Sequence, residues 1–294
     1  MIVTGYGQSG DPAFRKMAGH DANYLAISGA LDLFGRARDD AGPIPPANFA
    51  GDYAGGGMMC AMGILLALIE RSRSGKGQVI DAAMIDGANY VALPLFKWQQ
   101  TGLVPLLDNG HVDKDNFFLN QAPHYSTSYR CSDGGYISVQ SLEPQFYAEL
   151  LKVLFPKEDG GIPSDLPNQY DSSSWPWMRE RFATIFASRT RDEWARKFRG
   201  LDACAVPILS AKEAARHPHN VKRGNFSPSP GIEGAFEPNP APKLCRTPGL
   251  APRPAPLPGG DTVAVLSECG FAEHEIRAAL QNNIAVDAST RAKL

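Results

Sequence analysis

Two side chains that can transfer protons, His20 and Asp52, lie in strings rich in glycine and small residues. His20 belongs to GHDANYLAISG, and Asp52 belongs to PPANFAGDYAGGG. Histidine and carboxylate side chains are common general acids and bases in enzymes. The apolar residues after Gly57 predict a helix that begins near Met58, with Asp52 close to its free backbone N–H groups. These strings fit an alternative equally well, in which Asp52 only caps the helix and His20 is structural.

A third candidate, Glu143, is predicted at a junction between a strand and a helix. Alternating residues in 126–130 and 136–140 flank SDGG and predict a β-hairpin. Pro144 suits the first position of a helix that continues to about Phe155. Glu143 then precedes that helix, and without further information a capping role is favoured over a chemical one.

The elements that must position His20 and Asp52 follow from apolar periodicity. The pattern predicts a helix from Asp21 to Leu33 and a short strand at 78–80. It also predicts a helix over 82–98. Residues 58–69 are apolar on every side, which predicts a buried helix. Four methionines fit core positions best, although flexible thioethers also suit a surface for variable acyl chains: Met58, Met59, Met62 and Met84.

The remaining chain predicts a second group of elements. Residues 100–125 are polar and lack a period, which indicates a linker. Aromatic spacing predicts a helix from about Trp175 to Phe186, and Thr190 with Glu193 forms a capping box for the next helix. A short strand is predicted within 200–207, with Cys204 beside it. A proline-rich segment follows, and the chain then returns to helical patterns at 262–269 and 273–280.

Composition limits the classes of function. The chain has 294 residues, a net charge of -2 and 43% apolar residues. A near-neutral chain lacks the concentrated basic surface that nucleic acids require. The N-terminal residues lack the pattern of a secretory signal, and no apolar run is expected to cross a membrane, so a soluble intracellular protein is predicted. The last three residues, Ala292-Lys293-Leu294, are of the peroxisomal import type and predict an import receptor as a partner.

Metal and disulfide chemistry is not indicated. His217 and His219 lack matching cysteine or acidic ligands nearby. The cysteines are widely spaced and odd in number, so neither a disulfide framework nor a zinc cluster is predicted. Buried thiols are expected instead at Cys60, Cys131, Cys204, Cys245 and Cys269.

Taken in order, several strings resemble the racemases of the family III CoA-transferase superfamily. They are GHDANYLAISG, PPANFAGDYAGGGMMCAMG, ERSRSGKGQVIDAAMIDGA, SLEPQFYAELL, LDACAVPIL and GFAEHEI. The resemblance implies an isomerase that interconverts (R)- and (S)-2-methylacyl-CoA thioesters through an enolate. It implies no cofactor, because CoA is part of the substrate, and it implies no metal. A peroxisomal location is expected, with the mitochondrion and cytosol as alternatives.

The resemblance also implies roles for individual residues. His20, with Glu143 beside it, would be one acid/base group and Asp52 the other, because inversion at carbon needs proton transfer on both faces. Asn48 would orient the Asp52 carboxylate. The CoA moiety would pass along Gly19, Asp21 and Tyr24. Donors for the enolate oxygen are expected from the glycine-rich helix start after Asp52.

The implied fold is an α/β family III CoA-transferase fold with a Rossmann-like large domain and a small α+β domain. The large domain would occupy 1–100, followed by a linker at 101–125 and the small domain at 126–222. Residues 223–294 would return to the large domain. The resemblance implies an interlocked homodimer, and it also implies a CoA-holding N-terminal lobe, most of which is expected to lie outside this sequence.

Two other functions fit the same residues. A CoA-transferase would use Asp52 as a nucleophile that carries CoA between acids. A truncated form that is inactive or deficient in CoA binding would retain the site residues without turnover.

Overall fold

A computed structural model describes residues 1–33, 43–101, 123–250 and 257–288. The chain forms two compact units, Met1–Ile208 and Leu209–Leu294. The domain boundary predicted between 222 and 223 therefore falls inside the second unit. The physical reason is local, since one helix runs from Pro218 to Arg223 through that boundary, and Asn225 N donates to the Asn220 carbonyl at 3.0 Å across it. The predicted return of 223–294 to the large domain stays a prediction.

The first part of the Met1–Ile208 unit is mainly helical, with one parallel strand pair. Its elements are β1 (Ile2–Thr4), α1 (Pro12–Arg15), α2 (Asp21–Ser28), a π-helix (Phe49–Met58), α3 (Met59–Ser74), β2 (Asp81–Ala83), α4 (Met84–Val91) and α5 (Leu93–Thr101). β1 and β2 run parallel, with Ile2 opposite Asp81 and Thr4 opposite Ala83. Within the described residues this parallel sheet has two strands, and the Rossmann-like large domain stays a prediction.

Three predicted boundaries in this part are wrong. The strand predicted at 78–80 lies three residues later, at Asp81–Ala83. The helix predicted from Asp21 to Leu33 ends at Ser28, because Gly29 adopts a left-handed conformation with φ of 81° that terminates α2. The helix predicted over 82–98 is divided into α4 and α5, which are separated at Ala92.

The helix predicted to begin at Met58 starts at Phe49 instead. Backbone bonds with five-residue spacing form its first section, as when Tyr53 N donates to Asn48 O at 3.2 Å. Such π-helical geometry is rare and is often found at functional sites. Asp52 therefore lies in the first turn of a helix and does not precede one.

The predicted burial of α3 is also wrong within this chain. Cys60 is its only buried residue, and Leu65, Leu66 and Ile69 are 61%, 58% and 52% exposed. Counted from Phe49 to Ser74, the continuous helix is long and apolar enough to cross a membrane, contrary to the sequence expectation. Length and composition do not distinguish a membrane span from a helix that packs against protein.

Glycine permits the π-helix and α4 to pack with their backbones in contact. A Cβ atom on Gly87 would lie 1.8 Å from the carbonyl oxygen of Gly55, and one on Gly55 would lie 2.6 Å from Ala88 N. Only glycine fits such an approach, because neither partner atom belongs to a flexible side chain. A small apolar cluster of Leu25, Ala30, Ala88 and Ala92 packs beside this contact.

The second part of the Met1–Ile208 unit confirms the predicted hairpin and most of the predicted helices. Its elements are β3 (Ser126–Arg130), β4 (Tyr136–Gln140), α6 (Pro144–Leu154), α7 (Trp175–Phe186), α8 (Arg191–Phe198) and β5 (Ala205–Pro207). β4 pairs antiparallel with both β3 and β5. The Thr190–Glu193 capping box is present at the start of α8.

An aromatic core holds this second part together. Its largest fully buried side chains include Trp175, Tyr125, Phe182 and Phe186. The predicted linker at 101–125 lies largely outside the described residues. Its end is corrected, because Pro123, His124 and Tyr125 are fully buried and belong to the core.

The Leu209–Leu294 unit contains short elements. These are α9 (Ala211–Ala214), α10 (Pro218–Arg223), β6 (Phe226–Pro228), β7 (Phe236–Pro238), α11 (Thr262–Glu268) and α12 (Glu273–Gln281). The last two confirm the helices predicted at 262–269 and 273–280. The expectation of buried thiols is wrong for three cysteines, which are exposed: Cys204, Cys245 and Cys269.

Candidate active site

Asp52 is held in place by the residue that precedes the π-helix. Asn48 adopts a left-handed backbone conformation with φ of 58°, and its amide nitrogen donates to Asp52 Oδ2 at 2.8 Å. Asparagine tolerates this conformation better than most residues. The Asp52 side chain is half-buried. Asn48 thus orients the Asp52 carboxylate, as the resemblance implied.

The free N–H groups at the start of the π-helix bind Asp21. Asp21 Oδ2 accepts hydrogen bonds from Gly51 N at 2.7 Å and from Asp52 N at 2.8 Å. The capping carboxylate is therefore Asp21, and the alternative in which Asp52 caps this helix is wrong. Asp21 is 2% exposed, so its carboxylate does not have the surface position that a CoA ligand needs. The predicted place of Gly19, Asp21 and Tyr24 along the path of CoA stays a prediction.

His20 lies at the other side of Asp21, at the N-terminus of α2. Its backbone N–H donates to Asn23 Oδ1 at 3.0 Å, and its carbonyl oxygen accepts from Asn23 N at 2.8 Å. The residue is exposed and extended, with its side chain outside the helix. The backbone of His20 is thus ordered by α2, while its imidazole remains available for chemistry.

Tyr24 connects Gly19 with the surroundings of Asp52. Its hydroxyl donates to the Gly19 carbonyl, and a Cβ atom on Gly19 would lie 2.9 Å from the Tyr24 ring. Burial raises the pKa of Tyr24, and the negative charge of Asp52 raises it further. Gly19, His20 and Tyr24 therefore form one local cluster with Asp52 and Asp21.

Glu143 lies in the second part of the unit, directly before α6. It is exposed and extended, and its side chain makes no hydrogen bond to the first turn of α6. The capping role favoured from sequence is therefore wrong. Its charge adds to burial in raising the pKa of the Tyr170 hydroxyl and of the Cys204 thiol. Within the described ranges, no hydrogen bond or ion pair joins Glu143 to His20, so their predicted pairing stays a prediction.

Hydrogen bonds from other segments fix the backbone of the turn that precedes Glu143. Gln169 Nε2 donates to the carbonyl oxygens of Ser141 and Leu142, both at 2.9 Å. Ser141 Oγ donates to the Ala203 carbonyl at 2.6 Å. Sequence reasoning missed both Gln169 and the structural role of Asp21. Nothing in the sequence marks Gln169, whereas the position of Asp21 next to His20 offered a signal.

The structure also changes two expectations about the residues around Asp52, one for the glycines after it and one for four methionines. The glycines 55–57 lie inside the π-helix and not at its free end, so they do not offer the expected donors for an enolate oxygen. None of the four methionines is buried, which makes the core assignment wrong for Met58, Met59, Met62 and Met84. Their contact with acyl chains stays a prediction. Among the described residues, no cluster of three or more His, Cys, Asp or Glu side chains is placed to hold a metal ion.

A half-buried carboxylate oriented by an amide, close to a histidine at a helix start, defines a site for acid/base chemistry. The chain belongs to CoA-transferase family III, whose family model matches residues 1–262. The fold agrees, since a CaiB/BaiF family protein from Brucella suis has a TM-score of 0.64 at 19% identity, over 90% of this chain and 66% of that one. The Mycobacterium tuberculosis protein Rv3272 has a TM-score of 0.61 at 19% identity, over 89% of this chain and 64% of that one.

Curated relatives are more similar in sequence. The chain is 44% identical to the α-methylacyl-CoA racemase of Mus musculus over 276 residues, which cover 93% of this chain and 68% of the relative. Identity to the Homo sapiens α-methylacyl-CoA racemase is 42% over 275 residues, with the same coverage of both chains. The chain thus spans about two thirds of the length of these relatives.

Proposed function

We propose that this chain carries the proton-transfer site of an isomerase that interconverts (R)- and (S)-2-methylacyl-CoA thioesters. The main support is the arrangement at the π-helix, where Asn48 orients Asp52 at 2.8 Å while His20 stays exposed at the start of α2. The 44% identity to a curated racemase supplies the substrate class.

The proposed reaction uses His20 and Asp52 on opposite faces of the substrate α-carbon. One group removes the α-proton, and the electron pair of the broken C–H bond moves into the thioester to give an enolate. The other group delivers a proton to the opposite face, which restores the thioester with inverted configuration. Glu143 is proposed to support His20 as a positioning group.

Several properties accompany this proposal. The reaction needs no cofactor, because the thioester itself stabilises the carbanion and CoA enters as part of the substrate. A peroxisomal location and an import receptor are proposed from Ala292-Lys293-Leu294, which lie outside the described residues. A role in fatty acid or other lipid metabolism follows from a branched acyl substrate. A homodimer is proposed because α3 leaves a continuous apolar surface exposed.

Isotope exchange tests the proposal directly. The full chain is incubated with a 2-methylacyl-CoA in deuterated water, and deuterium at the α-carbon is followed by mass spectrometry. Exchange without an added acceptor acid, lost in Asp52→Asn and His20→Gln, is expected. CoA transfer to an added acid without exchange would instead support the CoA-transferase alternative, with Asp52 as nucleophile.

A binding measurement distinguishes the proposed isomerase from a form that is inactive or deficient in CoA binding. Calorimetry with CoA and with the 2-methylacyl-CoA reports whether the chain binds its proposed substrate. A folded chain that binds neither compound and exchanges no proton is the deficient form. Binding without exchange would contradict the roles proposed for His20 and Asp52.

A further inference from the structure

We propose that Asp21 is a positioning residue that sets the separation between His20 and Asp52. This inference rests on the proposed function, because it concerns how the two proton-transfer groups are held relative to each other. The proposed role belongs to the carboxylate of Asp21, which is buried between the two helices.

The geometry connects two elements through one oxygen atom. Asp21 is the first residue of α2 and follows His20 directly, while its Oδ2 binds the backbone N–H groups of Gly51 and Asp52. The same carboxylate is therefore bonded to the backbone of one proposed acid/base residue and covalently adjacent to the other. Charge-assisted bonds of 2.7 and 2.8 Å are short and strong, so they restrain both backbones.

Gly51 makes this contact sterically possible. A Cβ atom at Gly51 would lie 2.8 Å from Asp21 Oδ2 and 3.0 Å from the Asp21 carbonyl oxygen. A side chain at this position would push α2 away from the π-helix. The absence of a Cβ atom thus lets the N-terminal ends of both helices meet on one carboxylate.

The cost of burying this carboxylate argues that it has a specific role. Asp21 is 2% exposed, and its second oxygen, Oδ1, has no hydrogen-bond partner. A buried carboxylate is unfavourable unless nearby groups stabilise it. Here the stabilisation comes from two N–H bonds and from the positive ends of α2 and the π-helix. Removing the carboxylate therefore leaves the N–H groups of Gly51 and Asp52 unpaired and disconnects the two helices.

The consequence for turnover comes from reaction geometry. Proton transfer on opposite faces requires both groups within hydrogen-bond reach of one carbon atom, and a displacement of about 1 Å can reduce the rate about 100-fold. Asp21→Ala is therefore expected to lower kcat for α-proton exchange by about 10- to 100-fold. KM should change by less than about twofold, because the carboxylate does not contact the substrate.

Asp21→Asn is the conservative variant. The asparagine carbonyl oxygen can take the place of Oδ2 and accept both N–H bonds, so most of kcat should be retained. An Asp21→Asn variant with unchanged kcat and a raised KM would overturn the proposal, since that pattern indicates a charged contact with CoA. Asp86→Ala is the matched control, because Asp86 is an exposed carboxylate in the first turn of α4.

Amide hydrogen exchange gives a readout that does not need activity. Exchange at Gly51 N and Asp52 N, measured by NMR on the full chain, should accelerate at least 10-fold in Asp21→Ala. It should change little in Asp21→Asn and in Asp86→Ala. Equal protection of these two amides in wild type and in folded Asp21→Ala would overturn the proposal, even if wild type lacks isomerase activity. If amide exchange accelerates in Asp21→Ala while the wild-type chain shows no α-proton exchange, only the proposed function is rejected.

Discussion

At the level of single residues, Asn48 has two roles that depend on each other. Its left-handed backbone, with φ of 58°, begins the π-helix, and its amide binds Asp52 Oδ2. Because Asn48 is exposed, this bond is not required for core packing. The residue can therefore be changed to test orientation of Asp52 separately from folding.

Asn48→Gly should lower the rate of α-proton exchange about tenfold without a large change in stability. Glycine accepts the left-handed conformation, which preserves the fold, but it removes the exposed hydrogen bond that holds the Asp52 carboxylate in one orientation. Steady-state exchange kinetics and thermal unfolding measure the two effects. Asn283→Gly is a matched control, since Asn283 is exposed with φ of 57°. Unchanged kinetics in Asn48→Gly would contradict the orienting role.

The burial of His124 should make the free energy of unfolding depend on pH. It is fully buried, its Nε2 lies 2.7 Å from the Tyr147 hydroxyl oxygen, and its Nδ1 has no partner. Burial, with a smaller effect of the Arg179 charge, lowers the pKa of His124 to about 3. The unfolded chain therefore binds a proton that the folded chain does not bind, at any pH between about 3 and the unperturbed value of about 6.5.

The free energy of unfolding should consequently fall as the pH falls through 6.5. Between pH 7 and pH 5 this one group should reduce stability by about 2 kcal/mol. Urea unfolding at both pH values measures the change in wild type and in His124→Gln, where the difference should shrink. His219→Gln, at an exposed position, should behave like wild type. A His124→Gln variant with the full pH dependence would refute this assignment.

At the level of elements, the contact between the π-helix and α4 determines where Asp52 lies. Gly87→Ala should destabilise the protein by roughly 3 kcal/mol or more, because its Cβ would lie 1.8 Å from the backbone oxygen of Gly55. Gly57→Ala in the same π-helix should be tolerated, as its nearest atom is 3.8 Å away. Chemical unfolding of both variants tests this contact. Equal stability of both variants would mean that the close approach does not persist in solution.

The position of Glu143 likewise depends on a tertiary contact, in which Gln169 binds the turn between β4 and α6. Gln169→Leu removes the donor shared by the Ser141 and Leu142 carbonyls and should cost about 1–3 kcal/mol. If Glu143 supports His20, exchange activity should also fall, and Glu143→Gln combined with Gln169→Leu should be no slower than Glu143→Gln alone. Additive losses of activity in the double variant would show that Gln169 acts independently of Glu143. Gln281→Leu, at an exposed position, is the control.

At the level of the whole molecule, the exposed apolar side chains of α3 support the proposed homodimer. Leu65, Leu66 and Leu68 are at least half exposed on a helix whose composition is that of a protein interior. Such a large contiguous apolar surface indicates an interface. The proposed homodimer would cover it with a second copy of the chain.

Leu65→Glu should shift the protein from dimer to monomer, because a charge placed in an apolar interface is strongly unfavourable. Analytical ultracentrifugation should give about twice 31.7 kDa for wild type and 31.7 kDa for the variant. Glu70→Lys, at an exposed position where α3 turns polar, is the control. A wild-type monomer at micromolar concentration, or a dimer that Leu65→Glu leaves intact, would contradict this interface.

Sequence patterns correctly predicted those elements that depend on residues close together in the chain. The hairpin of β3 and β4, the start of α6 at Pro144 and the capping box at Thr190 depend on residues a few positions apart. The ordered strings likewise indicated family III and the pairing of His20 with Asp52 as candidate groups. The resemblance implied that Asn48 orients Asp52, and the hydrogen bond between them forms because both lie at one helix start.

Only the tertiary structure decided which carboxylate caps the π-helix and which surfaces are exposed. Asp21 and Asp52 are both acidic residues near a helix start, and their roles differ because α2 brings Asp21 onto N–H groups that are distant in sequence. The exposure of α3 similarly depends on which elements pack against it, and its apolar composition cannot specify them. The physical reason is that composition and spacing determine local conformation, whereas burial and long-range hydrogen bonds depend on how separate elements meet.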